Sequence, residues 1–162
     1  MSEAPDLKIR RATAGDMAAV GRLAALLVRG HHAFDPLRFI PETPDTARNY
    51  GGFLGTQLGE RDVIVLVAEQ GGEVVGYTYA GIEGYDYMSL RGPAGALYDI
   101  VVDPTRRQQG VGRALLDATL AELAARGAPR VVLSTAEQNV GAQALFARAG
   151  FRRTMIEMTR EL

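Results

Sequence analysis

The sequence contains no cysteine, and its only two histidines, His31 and His32, are adjacent. Without thiols there is no disulfide, no thiolate metal site and no cysteine nucleophile. Adjacent histidines on one backbone rarely chelate together, so no metal is expected. Charge of one sign is lacking too: 18 basic residues against 19 acidic ones leave a net charge of −1. A nucleic-acid binder held by phosphates would show a basic excess or stripe. No apolar run approaches the ~20 residues of a membrane span, and the N-terminal MSEAPDLKIRR lacks the apolar core of a secretion signal. These absences predict a cytoplasmic protein without nucleic-acid or membrane partners. Repeats, low-complexity tracts and linkers are missing as well. The 162 residues suit one core, so residues 1–162 are read as a single domain.

What is present is organised around residues 96–127, ALYDIVVDPTRRQQGVGRALLDATLAELAARG. Leu97 to Val102 reads as a buried strand, stopped by Asp103-Pro104 because proline has no ladder donor and restricts its predecessor. After a short basic loop, Leu115, Leu116, Leu120 and Leu123 form an apolar stripe at helical spacing, and Gly127 with Pro129 ends the helix. A strand, a glycine-bearing turn and a helix N-terminus make an anion site, because the first-turn amides lack intrahelical partners. Arg106, Arg107 and Arg113 add positive charge there. The same pattern also suits a plain strand–loop–helix connection whose glycines serve only the turn. The dinucleotide fingerprint fails at Leu115, and the Gly-Lys-Ser/Thr of a nucleotide-triphosphate loop is missing.

Elsewhere, Leu7–Arg11 reads as a strand, and Thr13 with Asp16 as the cap of a helix ending at Gly30. The segment from His31 to Phe39 is read as a polar loop, with His31 or His32 lining an acceptor pocket as the alternative. A second helix starts at Pro44-Asp45, weakened by Gly51-Gly52. Val63–Ala68 and Val74–Ile82 make a hairpin around Gly71-Gly72. The following loop carries Glu83, Tyr85, Asp86 and Tyr87, which either face an amine-bearing substrate or form an exposed β-loop with half-buried rings. Residues 130–136 read as a strand parallel to 97–102, and Asn139 caps a last helix ending at Gly150. Thr154–Arg160 alternates as a strand whose apolar face would be left bare in a monomer, predicting a homodimer through this C-terminal arm.

Two blocks carry a family likeness. Arg107-Gln108-Gln109-Gly110-Val111-Gly112 fits the signature Q/R-x-x-G-x-G/A, with VDP before it and an ALL helix after it. Residues 139–151 fit N-x-x-A-x-x-L-Y-x-x-x-G-F, except that Phe146 stands where the block has Tyr. On these blocks the chain resembles the GCN5-related N-acetyltransferase (GNAT) superfamily, strongly over residues 96–151 and by order of elements over 7–82. The resemblance implies an α/β (α+β) GNAT fold: a central mixed, mostly antiparallel sheet with a parallel splayed pair, flanked by helices. It also implies acetyl-CoA as cosubstrate, no metal, and a small-molecule or peptide amine as acceptor.

Carried over by position, Arg107, Gln108, Gln109, Gly110, Val111, Gly112 and Arg113 would bind pyrophosphate. Ile100, Val101 and Val102 would offer main-chain groups to the pantetheine arm, Asn139 would contact the same arm, and Phe146 would sit near the acyl group. The region between the first two helices usually forms one wall of the acceptor pocket, which would put His31 or His32 there; Tyr85 and Tyr87 are the other candidates for facing the substrate. Without a cysteine, the amine would attack directly in a ternary complex, with a backbone N–H near Val101 polarising the carbonyl. Asp99, Tyr98, Glu83 and one of the histidines are candidates for the base, Asp99 first because many relatives carry an acid there. Phe146 cannot donate the proton that the usual tyrosine is thought to give. This leaves two functions open: an N-acetyltransferase, or an acetyl-CoA-binding sensor or interaction domain with little turnover.

Overall fold

The structure, a computed structural model, describes residues 6–162. Its elements run β1 (Leu7–Arg11), α1 (Met17–Phe34), α2 (Thr46–Gln57), β2 (Val63–Gln70), β3 (Glu73–Glu83), β4 (Ala94–Val102), α3 (Val111–Ala125), β5 (Val131–Leu133) and α4 (Val140–Arg148). The five strands form one sheet in the order β1-β2-β3-β4-β5. The first four are antiparallel, and β4 and β5 are parallel, joined through α3. This is the mixed α/β sheet the sequence leads one to expect.

Each sheet face is covered by different helices. Leu115, Leu116 and Leu123 of α3 and Phe146 of α4 pack on Ile64, Leu66, Ala80 and Leu97. On the other face, Val20, Leu23 and Ala24 of α1 and Leu54 of α2 pack on Val67, Tyr77 and Val101. α1 and α2 meet backbone to backbone: a Cβ on Gly21 would lie 2.2 Å from the Ala47 carbonyl oxygen, and one on Gly51 2.5 Å from that of Met17. The glycine that weakens α2 as an isolated helix is therefore what lets it dock.

Four sequence expectations need correction. α1 does not stop at Gly30 but runs to Phe34, carrying both histidines. Gly30 has open space around it and stays helical. The helix ends where Asp35 turns extended (φ −154°, ψ 96°), as the residue before a proline prefers. β4 begins at Ala94 rather than Leu97. β5 is three residues long instead of spanning 130–136, because its pairing with β4 ends at Leu97–Leu133. The C-terminal residues 152–162 are exposed and form no strand. There Glu157 pairs with Arg38, which holds the arm over the α1–α2 connection.

Candidate active site

The site begins with a break in strand parity. Tyr79 of β3 faces Asp99, but the next residue, Ala80, faces Leu97, so Tyr98 is an extra residue in β4. Such a bulge re-aims side chains and ends regular pairing. Leu97 packs towards α3. Tyr98 packs against Tyr79, the rings tilted by 44° with centroids 4.7 Å apart, and Asp99 takes a hydrogen bond from Tyr77. Since Tyr77 and Tyr79 belong to the α1–α2 face, Tyr98 and Asp99 share that face, although they are neighbours in sequence.

Pairing with β5 stops at the same place. Beyond Leu97–Leu133 the pairing of the two strands ends, and among the described residues the β5-facing edge of β4 has no further strand partner. The wedge so opened is a cavity of about 170 Å³. Its lining includes His31 of α1; Tyr98, Asp99 and Ile100 of β4; and Asn139 and Phe146 at α4. No lysine or arginine lines it.

At the C-terminal end of β4, Asp103 accepts a hydrogen bond from the Thr105 amide and caps a short 3₁₀ turn, Pro104–Arg106. The chain then turns into α3 through two left-handed residues, Gln108 (φ 60°) and Gly110 (φ 81°). The first i to i−4 bond of α3 is Ala114 N–H to Gly110 O, so the amides of residues 110–113 have no intrahelical acceptor. With Arg107 and Arg113 close by in the chain, this corner suits an anion. Gly112 lies 3.6 Å, at its virtual Cβ, from both Val102 and Leu145, linking the corner to β4 and α4, which also wall the wedge. Donors at one end and a bare strand edge leading from it fit an elongated ligand with a diphosphate and an amide-bearing arm.

The opposite wall is polar and buried. Asp99 is 9% exposed, and its Oδ2 accepts from the Tyr77 hydroxyl at 3.0 Å. Burial pushes its carboxyl above the ordinary value, offset in part by Tyr77, His31 and Tyr50. In return, burial and the Asp99 charge push the Tyr50 hydroxyl up to about 12. Burial and then the Glu83 carboxylate push Tyr98 up to about 12 as well. These tyrosines stay protonated at neutral pH and act as donors. Sequence reasoning missed Tyr50 and Tyr77. The one signal for Tyr77 was its place two residues before Tyr79, on the same strand face.

Of the other expected site residues, some lie outside the wedge and some line it. His32 turns away, its Nδ1 2.8 Å from the Phe39 carbonyl oxygen. Glu83 is paired with Arg91 at 3.3 Å and does not line the wedge. Tyr85 and Tyr87 stack on each other at 6.0 Å on an exposed loop whose turn is tied by Asp86 and Arg91. Val101 is buried against α1, and Val102 packs against the α3 cluster. Asn139 lines the wedge while its side chain caps α4 by accepting from Ala142 N–H at 3.2 Å. Phe146 is 6% exposed, with its ring against Phe151.

Residues 30–151 match the model of the Acetyltransferase (GNAT) family. The chain is 38% identical over 122 residues to a mycothiol acetyltransferase of Clavibacter michiganensis, covering 74% of this chain and 38% of that protein. It is also 38% identical over 97 residues to a mycothiol acetyltransferase of Thermobispora bispora, covering 57% of this chain and 31% of that one. The chain thus spans about a third of the length of these curated relatives. Among solved structures, an aminoglycoside N-acetyltransferase, AAC(6')-Iy, in complex with CoA superposes with a TM-score of 0.74 at 21% identity, covering 100% of this chain and 98% of that one. That likeness shows the fold. The sheet, its splayed parallel pair and the match over residues 30–151 agree: the chain belongs to the acetyltransferase (GNAT) family.

Proposed function

We propose that this chain transfers the acetyl group of acetyl-CoA to a primary amine of a small molecule, by direct attack in a ternary complex. The observation that carries the reading is the wedge between β4 and β5, with the buried carboxylate of Asp99 in its wall, and the open amides of the α3 start beyond the C-terminal end of β4. The relatives named for mycothiol, and the fold neighbour named for aminoglycosides and crystallised with CoA, support a small-molecule acceptor and that cosubstrate. The coenzyme supplies an activated acetyl thioester. Residues 107–113 hold its diphosphate, and the free edge of β4 at residues 100–102 pairs with its amide-bearing arm. A main-chain N–H near Val101 donates to the carbonyl oxygen as charge builds there.

Because no cation lines the wedge and Asp99 does, the acceptor enters as an ammonium ion. The exposed side chains of Met155, Ile156 and Met158 make the C-terminal arm the contact between two copies in this proposal. A monomer by light scattering removes that part.

The test is a free-thiol assay with acetyl-CoA over small amines, aminoglycosides, amino acids and peptide N-termini, alongside calorimetric titration with CoA. The expected outcome is thiol release with at least one acceptor class. CoA binding without thiol release from any acceptor favours the sensor, to which Phe146, lacking a hydroxyl, is the one pointer. Gly112→Leu drives a side chain against Val102 and Leu145 and so displaces the corner and its amides. Loss of two charge-assisted hydrogen bonds there lowers CoA affinity by about 100-fold or more; retained affinity refutes the corner as the diphosphate site.

A further inference from the structure

Resting on the acetyl-transfer reading above, we propose that His31, not Asp99, takes the proton from the acceptor amine through Nε2, with Asp99 as the fixed anion beside it. Three observations converge. His31 lines the wedge together with Asp99 and Tyr98. Its Nδ1 lies 2.9 Å from the main-chain carbonyl oxygen of Leu27. A carbonyl only accepts, so Nδ1 carries the hydrogen, and in the neutral ring Nε2 is left with a free lone pair. The ring is clamped edge-on by Phe34 at 5.8 Å and Phe39 at 5.0 Å, so its orientation is set before any ligand arrives.

Asp99 suits the other role. It is nearly enclosed, and one of its oxygens is already occupied by the Tyr77 hydroxyl. A carboxylate held this way attracts an ammonium ion and stabilises the imidazolium that forms near it. An imidazole is matched to taking a proton near neutral pH, where a carboxylate ordinarily is not. The ionisable groups around the site from the packed elements are Asp99 and Tyr98 of β4, Tyr77 and Tyr79 of β3 and Tyr50 of α2. His32 and Asp35 are the neighbours along the chain.

The proton count closes without a hydroxyl at residue 146. The ammonium gives one proton to His31 Nε2, which later returns it to solvent. The freed lone pair forms the C–N bond to the acetyl carbon as the C–S bond breaks and its electrons leave on sulfur. The nitrogen, still carrying one proton too many for an amide, gives it to the departing thiolate. The products are the acetamide, the coenzyme thiol and one released proton.

The experiment uses the full chain and the best acceptor from the amine panel. In His31→Gln, kcat falls by about 100-fold or more, the range of a lost general base. The KM for acetyl-CoA holds, and the acidic limb of the kcat profile disappears. In Asp99→Asn the KM for the amine rises, while that acidic limb survives. A His31→Gln enzyme that keeps kcat within about threefold of the parent, or keeps the acidic limb, overturns the proposal. A separate readout needs no turnover: long-range proton–nitrogen NMR correlation on the parent protein reports the ring tautomer. Nδ1–H at His31 supports the proposal and Nε2–H overturns it. An absence of thiol release from the parent protein across the whole panel defeats the transfer reading itself and this proposal with it. Turnover that survives His31→Gln defeats only the assignment of His31.

Discussion

The two faces of β4 do different work with the same strand. Towards α3, Leu97, Ile100 and Val102 join a wholly apolar layer. Towards α1 and α2, Tyr98 and Asp99 sit among Tyr50, Tyr77, Tyr79 and His31. At the end of the strand the corner proposed for the diphosphate is made of main chain, namely two left-handed residues and the open amides of a helix start. The acceptor side is made of side chains from four separate elements. A backbone site depends on one local turn, whereas a side-chain site depends on packing between distant parts of the chain. The first is robust to change in the helices above it; the second is not.

That contrast can be broken most severely at the α1–α2 crossing. Gly51→Val drives a side chain into the Met17 carbonyl and costs about 3 kcal/mol, the upper range for overpacking. Urea unfolding should show the loss as a lower midpoint. CoA affinity measured where the variant is still folded should hold, since the corner at residues 107–113 lies on the other side of the sheet. Next comes Tyr77→Phe, which removes a donor from the buried Asp99 carboxylate and costs about 2 kcal/mol, as hydrogen bonds to charged groups do. The same urea series checks it, and again CoA binding should not move.

Smallest, and opposite in sign, is Asp99→Asn. Burial raises the folded-state carboxyl above its ordinary 3.8, so the protonated form is the one folding favours. The Asp99 contribution to stability is therefore full below that value and is lost as pH rises through the folded one. Asparagine stays neutral throughout. Asp99→Asn should melt higher than the parent at neutral pH, the gap closing as the pH drops below the ordinary carboxylate value. Part of the elevation of Tyr50 should vanish with the charge. A parent that melts above the variant at neutral pH would mean that the tyrosine donors outweigh the cost of burying the charge.

Legibility in the sequence follows the same division. The β4–corner–α3 unit could be read because its rules are local: a Pro stop, glycines, and an apolar stripe at helical spacing. Gln108 was read as part of the loop, but nothing marked it as left-handed, since non-glycine residues rarely adopt that conformation. The acceptor wall stayed hidden for a different reason. LYDIVV reads the same with or without an extra residue at Tyr98, so the sharing of one face by Tyr98 and Asp99 is set by pairing with β3. Tyr50 and Tyr77 reach Asp99 from positions remote in the chain, and Gly30 masks the true end of α1 at Asp35-Pro36. The alternation at Thr154–Arg160 promised a strand, but alternation becomes a strand only beside a free edge, and among the described residues none pairs with it.

An extended chain keeps an odd–even count from one end to the other, and β4 miscounts once, at Tyr98. Removing Tyr98 would restore the count with Leu97 still opposite Ala80 and Asp99 still opposite Tyr79, and the face towards α1 and α2 would lose one of two neighbouring polar side chains. One surplus residue thus lets two consecutive side chains of a single ribbon, Tyr98 and Asp99, point the same way.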